Sequence, residues 1–149
     1  MADVVSPWSI GRFRTIEDAS NKAQPMWAED IKWCKQYNLD FLPVVFPGFS
    51  WFNMHGNNWN SIPRLKGEFY WNMFLAAKSA GAEMAYVAMF DEFDESTNIL
   101  KCTNDPPVGE SRFLTYENLP TDHYLWLTAQ GTKLIRGEIE GADKVPKRK

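Results

Sequence analysis

Four acids fall within five positions, at Asp91, Glu92, Asp94 and Glu95, and no basic residue follows until Lys101. Packed together such groups repel one another, whereas in water they make an ordinary acidic loop. Position favours the first reading. The acids follow directly on residues 85–90, the most hydrophobic strand candidate of the chain. A strand so apolar ends inside the protein, so acids at its carboxyl end open into a cleft. A helical turn there would put Glu92 and Glu95 on one face at i and i+3, with Cβ atoms ~5–6 Å apart. Two carboxyl groups at that scale, their pKa values pushed apart, suit acid–base work on one glycosidic bond. Asp91 and Asp94 stand beside them as candidate substrate contacts.

Aromatic residues crowd the ends of the other apolar stretches: Trp8, then Phe46, Phe49, Trp51 and Trp59. Seven Trp in 149 residues exceed what core packing needs. Flat rings with a polar handle suit the C–H faces of sugars. Trp51 and Trp59 lie in a loop full of Asn, Gly and His. Trp8, Trp51 and His55 are therefore candidate sugar contacts, and Arg64 can offer its guanidinium fork to an oxygen-rich ligand. His123, at a helix start, reads as structural. Gly-x-Gly-x-x-Gly, Walker and Cys-x-x-Cys patterns are missing, as is a serine in a nucleophile elbow. With no HExxH or EF-hand spacing either, neither cofactor nor metal is expected.

Three apolar, β-leaning stretches would position these groups: residues 2–7, 41–46 and 85–90, starting roughly 40 residues apart. None alternates cleanly with polar residues, which predicts strands covered on both faces, as in a parallel sheet. Pro43 is a fault in the second, because proline removes a ladder donor. A helical candidate follows each strand. Pro25 can open one in which Trp27, Ile31 and Cys34 share a face. Phe69/Tyr70, Met73/Phe74 and Ala77 mark a second, stopped by Gly81. Thr121 or Asp122 can cap a third that runs through Tyr124, Leu125 and Leu127 toward Gly131. The order β-α-β-α-β-α predicts an α/β fold with parallel strands. A closed (β/α)8 barrel takes ~250 residues, so three such units are a part of one.

Composition narrows the function classes. Apolar residues make up 44% of the chain and charged ones 23%, which excludes intrinsic disorder. The longest apolar run, 84–90, is far too short to span a membrane, and the N-terminus shows no signal-peptide pattern. Lys144, Lys147, Arg148 and Lys149 against Asp143 give residues 141–149 a charge of +3, so the total of −3 leaves −6 on residues 1–140. An acidic body has no general attraction for phosphate backbones, so nucleic acid is not an expected partner. The basic tail reads as a solvated terminus beyond a domain at 2–140.

The strings Pro47-Gly48-Phe49-Ser50-Trp51, Ile62-Pro63-Arg64 with Gly67, and Tyr86 through Thr97 resemble the C-terminal part of glycoside hydrolase family 71/99-like proteins. Ser6-Pro7-Trp8 with Gly11-Arg12 fits an earlier strand of the same family. The resemblance covers most of residues 2–128. It implies a partial (β/α)8 TIM barrel, roughly its last three β-α units, acting on α-linked glycans, with carbohydrate as substrate. Members are often secreted. Related endo-α-mannosidases carry Asn-Glu-Trp-His-Glu-Gly-Thr at the end of a late barrel strand, and its two glutamates fall on Glu92 and Glu95. By resemblance Glu92 assists the substrate 2-hydroxyl as a base, giving a 1,2-anhydro-sugar, and Glu95 is general acid and then base. Asp91, Phe93, Asp94 and Ser96 depart from that motif. Ser96 matters most, since glycine would permit a turn that serine resists.

Two other functions compete: a non-catalytic carbohydrate- or protein-binding module derived from the same fold, and an acidic interaction protein whose carboxylates bind cations. Three strands also leave two open edges, which implies self-association or a companion chain completing the barrel.

Overall fold

The structure, a computed structural model, describes residues 2–107 and 109–148, so Lys149 of the basic tail lies outside the described residues. Four short strands, β1 (Val4–Val5), β2 (Asp40–Phe41), β3 (Val44–Val45) and β4 (Tyr86–Val87), alternate with helices. All the pairing between them is parallel, β1 with β2 and β3 with β4. The α/β reading with parallel strands therefore holds.

Each strand candidate is shorter than its apolar stretch, and Pro43 explains the middle one. The stretch 41–46 divides at Leu42-Pro43 and changes partner there. Before the division Leu42 N–H donates to Val5 C=O, and after it Ala88 N–H donates to Val45 C=O, both at 2.9 Å. Pro43 has no N–H to give, but its carbonyl still accepts from Tyr86 N–H at 2.9 Å. The central position thus belongs to one chain segment with β1 on one side and β4 on the other.

Burial on both faces holds only for this central segment. Val44, Val45 and Phe46 are buried, whereas Val4, Trp8, Tyr86 and Phe90 on the flanking segments are exposed. The expectation of doubly covered strands at 2–7 and 85–90 is corrected accordingly. They are edges, and an edge strand lacks a neighbour to cover its outer rows.

The first helical stretch begins earlier than Pro25 suggests. Thr15 Oγ1 accepts from Asp18 N–H at 3.2 Å and opens α1 (Ile16–Asp18), while Asp18 accepts from Arg14 N–H at 2.7 Å. This reciprocal capping satisfies backbone donors that precede the helical bonds. A π-helical segment, Ala19–Ala23, leads on into α2 (Gln24–Gln36). Pro25 sits within this continuous run, where the wider π turn leaves its nitrogen without a partner to lose. Trp27, Ile31 and Cys34 form the buried face as expected.

Helix α4 (Glu68–Ala80) is the hub. It buries Phe69, Tyr70, Trp71, Met73, Phe74, Ala76, Ala77 and Ala80, and packs on α2, α5, the π segment and β3. Gly81 ends it at φ 90°, a left-handed cap that favours glycine. Helix α5 (His123–Ile135) runs past Gly131 instead of stopping there. A Cβ at Gly131 would meet the Phe74 ring at 2.4–2.6 Å, so the glycine serves close helix packing. Nor does Asp122 cap α5 with its side chain. It pairs with Arg148 at 2.5 and 2.8 Å, which holds its carboxyl down to a pKa of about 2.

That pair is one of the contacts by which the tail touches the helices, although Lys144, Lys147 and Arg148 are exposed as expected. Trp71 Nε1 donates to Ala142 C=O at 2.7 Å, Val145 packs on the core, and Arg148 closes onto α5. The segment 142–148 is docked across the helix layer.

Candidate active site

The acidic segment follows β4 but does not form a helix. Residues 93–96 make a turn, with Ser96 N–H donating to Phe93 C=O at 3.0 Å. The chain then doubles back on itself. Glu92 C=O accepts from both Thr97 and Asn98 N–H at 3.1 Å, and Met89 N–H donates to Thr97 C=O at 3.0 Å. Glu92 and Glu95 are half-buried, and Asp91 and Asp94 exposed. Four acids within five residues resist a helix here because their repulsion is relieved when Asp91 and Asp94 reach water.

Ser96 makes the turn at φ +57°, the left-handed region that glycine enters without cost and serine does not. Its side chain is buried. The concern raised by the sequence thus has a concrete form: serine stands where the motif has glycine, and it takes glycine's conformation.

Two anchors hold this turn. The first is Ser50, just past the carboxyl end of β3, whose N–H donates to Glu95 C=O at 2.8 Å. Ser50 Oγ in turn accepts from Asn60 N–H at 3.2 Å, tying down the loop that carries Trp59. The second is Arg64, only 2% exposed. Its Nη2 donates to Ser96 C=O, Asn98 C=O and Asn98 Oδ1, each at 2.9 Å. The guanidinium lies over the rings of Tyr124 at 4.4 Å and Tyr116 at 5.0 Å, which meet each other edge-on at 4.7 Å, and this aromatic corner stands in for a carboxylate partner. The guanidinium expected to meet a ligand is turned inward: Nη2 alone makes these bonds, and Nε and Nη1 are buried without a partner among the described residues. Sequence reasoning missed Asn98 and Tyr116, and nothing in their local spacing marks them.

Glu95 has its pKa raised. Burial does most of this, and the like charges of Glu92 and then Asp94 add to it. A carboxyl group so placed holds its proton to higher pH than an ordinary glutamate, which is the state a general acid requires.

Trp51 and His55 lie beside this turn through the Ser50 anchor. Trp51 precedes the short helix α3 (Phe52–His55), is half-buried, and meets Phe49 edge-on at 4.6 Å and the His55 ring at 4.9 Å. Trp8 is 58% exposed on the β1 side and reaches the Tyr86 ring at 6.3 Å. Arg112 lies over Trp59 at 4.4 Å and over Phe52 of the same short helix at 5.1 Å, with its N–H donating to Asn53 Oδ1 at 3.2 Å. Phe93 lines an apolar hollow of about 260 Å³ with Cys102, Pro106 and Phe113. His123 is buried, and burial lowers its pKa, in keeping with a structural part.

The profile of glycosyl hydrolase family 99 matches residues 13–136. The chain belongs to that family. It is 30% identical over 120 residues to a glycoprotein endo-alpha-1,2-mannosidase-like protein of Danio rerio, covering 76% of this chain and 26% of that protein. With the Mus musculus protein of the same name it shares 31% over 104 residues, 68% of this chain and 23% of the other. Two structures of the family 99 endo-alpha-mannosidase of Bacteroides thetaiotaomicron superpose with TM-scores of 0.69 and 0.64 at 28% identity. They cover 80% of this chain and 35% and 37% of theirs. The chain thus spans about a quarter of the length of the curated relatives, and the family 99 glycoside hydrolase scaffold it carries is a part of theirs.

Proposed function

We propose that this chain carries the acid–base segment of a glycoside hydrolase acting on O-glycosidic bonds of α-linked glycans. Glu92 serves as the base that assists the sugar 2-hydroxyl, and Glu95 as general acid and then base. The raised pKa of Glu95, on a turn pinned through its own carbonyl, is the observation that carries the reading. Asp91, Asp94, Trp51, His55 and Trp8 are the proposed substrate contacts. In this reading the strands form part of a (β/α)8 barrel, whose active-site rim draws on loops from many strands. The open edges at β1 and β4 and the exposed Trp8, Tyr86 and Phe90 then call for further units, from other copies or from a companion, to complete it.

A chimera tests this. Residues 13–136 replace the matching part of the Bacteroides thetaiotaomicron enzyme, and turnover is measured on α-linked manno- and gluco-oligosaccharides. The chimera is expected to be active, the lone chain nearly inactive. Glu92→Gln and Glu95→Gln should each lower turnover by roughly 10²–10⁴-fold. Activity that survives both changes overturns the assignment.

A second reading, a non-catalytic carbohydrate-binding module, is favoured by one observation: Trp51, His55, Trp59 and Arg112 form an aromatic wall that needs no second carboxylate. Oligosaccharide binding by the lone chain, weakened by Trp51→Ala and indifferent to Glu92→Gln, supports that reading instead.

A further inference from the structure

Arg64 is a buried guanidinium without a carboxylate partner among the described residues, more than 25 residues in sequence from the acids, yet it bonds the backbone that follows them directly. Such a charge is costly to bury, and the aromatic corner of Tyr116 and Tyr124 alone does not account for where its hydrogen bonds go. They go to the two carbonyls that bracket Thr97, immediately after the left-handed Ser96. The contact extends outward through side chains. Asn98 Oδ1 accepts from Arg64, Asn98 Nδ2 donates to Tyr116 OH at 2.8 Å, and Tyr116 OH donates to Leu100 C=O at 2.5 Å. Every member is buried or nearly so, and the chain of bonds runs from the loop after β3 to the return limb of the acidic turn.

We infer that Arg64, with Asn98 and Tyr116, is a positioning group that holds Ser96 in its left-handed conformation and thereby presents Glu95. The inference rests on the assignment of Glu95 above but concerns its presentation rather than its chemistry. The physical argument is one of compensation. A serine at φ +57° drifts toward ordinary backbone angles unless something fixes the peptide that follows it. Nη2 does so by bonding the Ser96 carbonyl itself, while Ser50 fixes the carbonyl one residue earlier. With both carbonyls held, the Cα–Cβ bond of Glu95 has one direction to leave the turn. Lysine at position 64 keeps the charge but has neither the reach nor the flat face that packs on Tyr116 and Tyr124, so its ammonium is not held where Nη2 meets Ser96 and Asn98. Where glycine replaces Ser96, the conformation no longer needs holding, and dependence on Arg64 should fall.

The test follows the Glu95 carboxyl by NMR titration in the full chain labelled at glutamate, with no substrate present. Wild type is expected to titrate above the ordinary glutamate value of 4.5. Arg64→Lys should bring Glu95 back to the ordinary range while the far-UV CD spectrum stays unchanged, and Tyr116→Phe should shift it part of the way. Ser96→Gly added to Arg64→Lys should restore most of the elevation. That rescue is the decisive reading, because a guanidinium that merely filled the core would gain nothing from a glycine at position 96. An unaltered Glu95 titration in a folded Arg64→Lys variant overturns the inference. So does a lost elevation that Ser96→Gly fails to restore. Should Arg64→Lys not fold, Tyr116→Phe with and without Ser96→Gly gives the same comparison, and no shift there overturns it. These outcomes are independent of the chimera assay, which tests whether Glu95 does the chemistry at all.

Discussion

The helix side and the strand side of this molecule are finished to different degrees. Around α4, Trp27, Trp71, Tyr70 and Phe74 are fully enclosed, and even the C-terminal segment is docked through the Trp71 indole. On the strand side, Phe90 is 53% exposed one residue before the acids, and Trp8 is 58% exposed. Yet between these two regions the acidic turn is tightly held from below by Ser50 and Arg64. A site can therefore be well positioned by a scaffold whose rim is incomplete, because the clamps come from the packed side.

The sharpest way to break this comparison is to damage the packed side. Trp71→Ala removes a large enclosed ring and its bond to Ala142, and should cost about 3–5 kcal/mol in urea unfolding. A loss below about 1 kcal/mol would mean that α4 is no more finished than the edges.

On the open side the same kind of change should behave in the opposite way. Trp8→Ser with Phe90→Ser should leave the unfolding midpoint almost unmoved and lower self-association. Each large apolar side chain is worth roughly 1.5–3 kcal/mol when buried, so the association constant should fall at least about tenfold. Light scattering across a dilution series reads this directly. A monomer before mutation, or strong destabilisation after it, removes the distinction between the two faces.

Two smaller changes probe the turn between them. Ser96→Gly relieves the left-handed serine and should raise stability by about 0.5–1 kcal/mol, the backbone gain being partly offset by glycine's freer unfolded chain. Glu95→Gln should produce the smallest effect, and one that depends on pH. The folded-state pKa of Glu95 lies above its ordinary 4.5, so its contribution to stability is fully present below that value and is lost as pH rises through the raised one. The glutamine variant should accordingly melt slightly higher than wild type at pH 7, with the advantage gone at pH 4. An advantage that persists unchanged at pH 4 would show that burial and like charge are not its source.

Legibility from sequence followed the range of the forces involved. The faces of α2 and α4 were readable because helical spacing repeats the same requirement at every turn, so one misplaced residue does not hide it. Pro43 correctly marked trouble in the central strand, although the consequence, a change of pairing partner, depends on two distant segments. Pro25 and Gly131 misled for the converse reason. Each is a strong local stop or start signal overruled by its surroundings, one by a π segment already under way and the other by the Phe74 ring.

The sequence by itself determined the acid pair, the apolar strand that delivers it, the sugar-suited aromatics and, at Ser96, the one position where the turn would be strained. These are local statements, since residue type and spacing along the chain contain them. Only the tertiary structure decided where the Arg64 guanidinium bonds and that Asn98 and Tyr116 join it. A guanidinium can meet a ligand, a carboxylate or a backbone with equal chemical aptitude, and the choice depends on which carbonyls folding brings within 2.9 Å of it. The same holds for Glu95, whose raised pKa comes from burial in the folded chain and from the closeness of charges that a turn, rather than a helix, arranges.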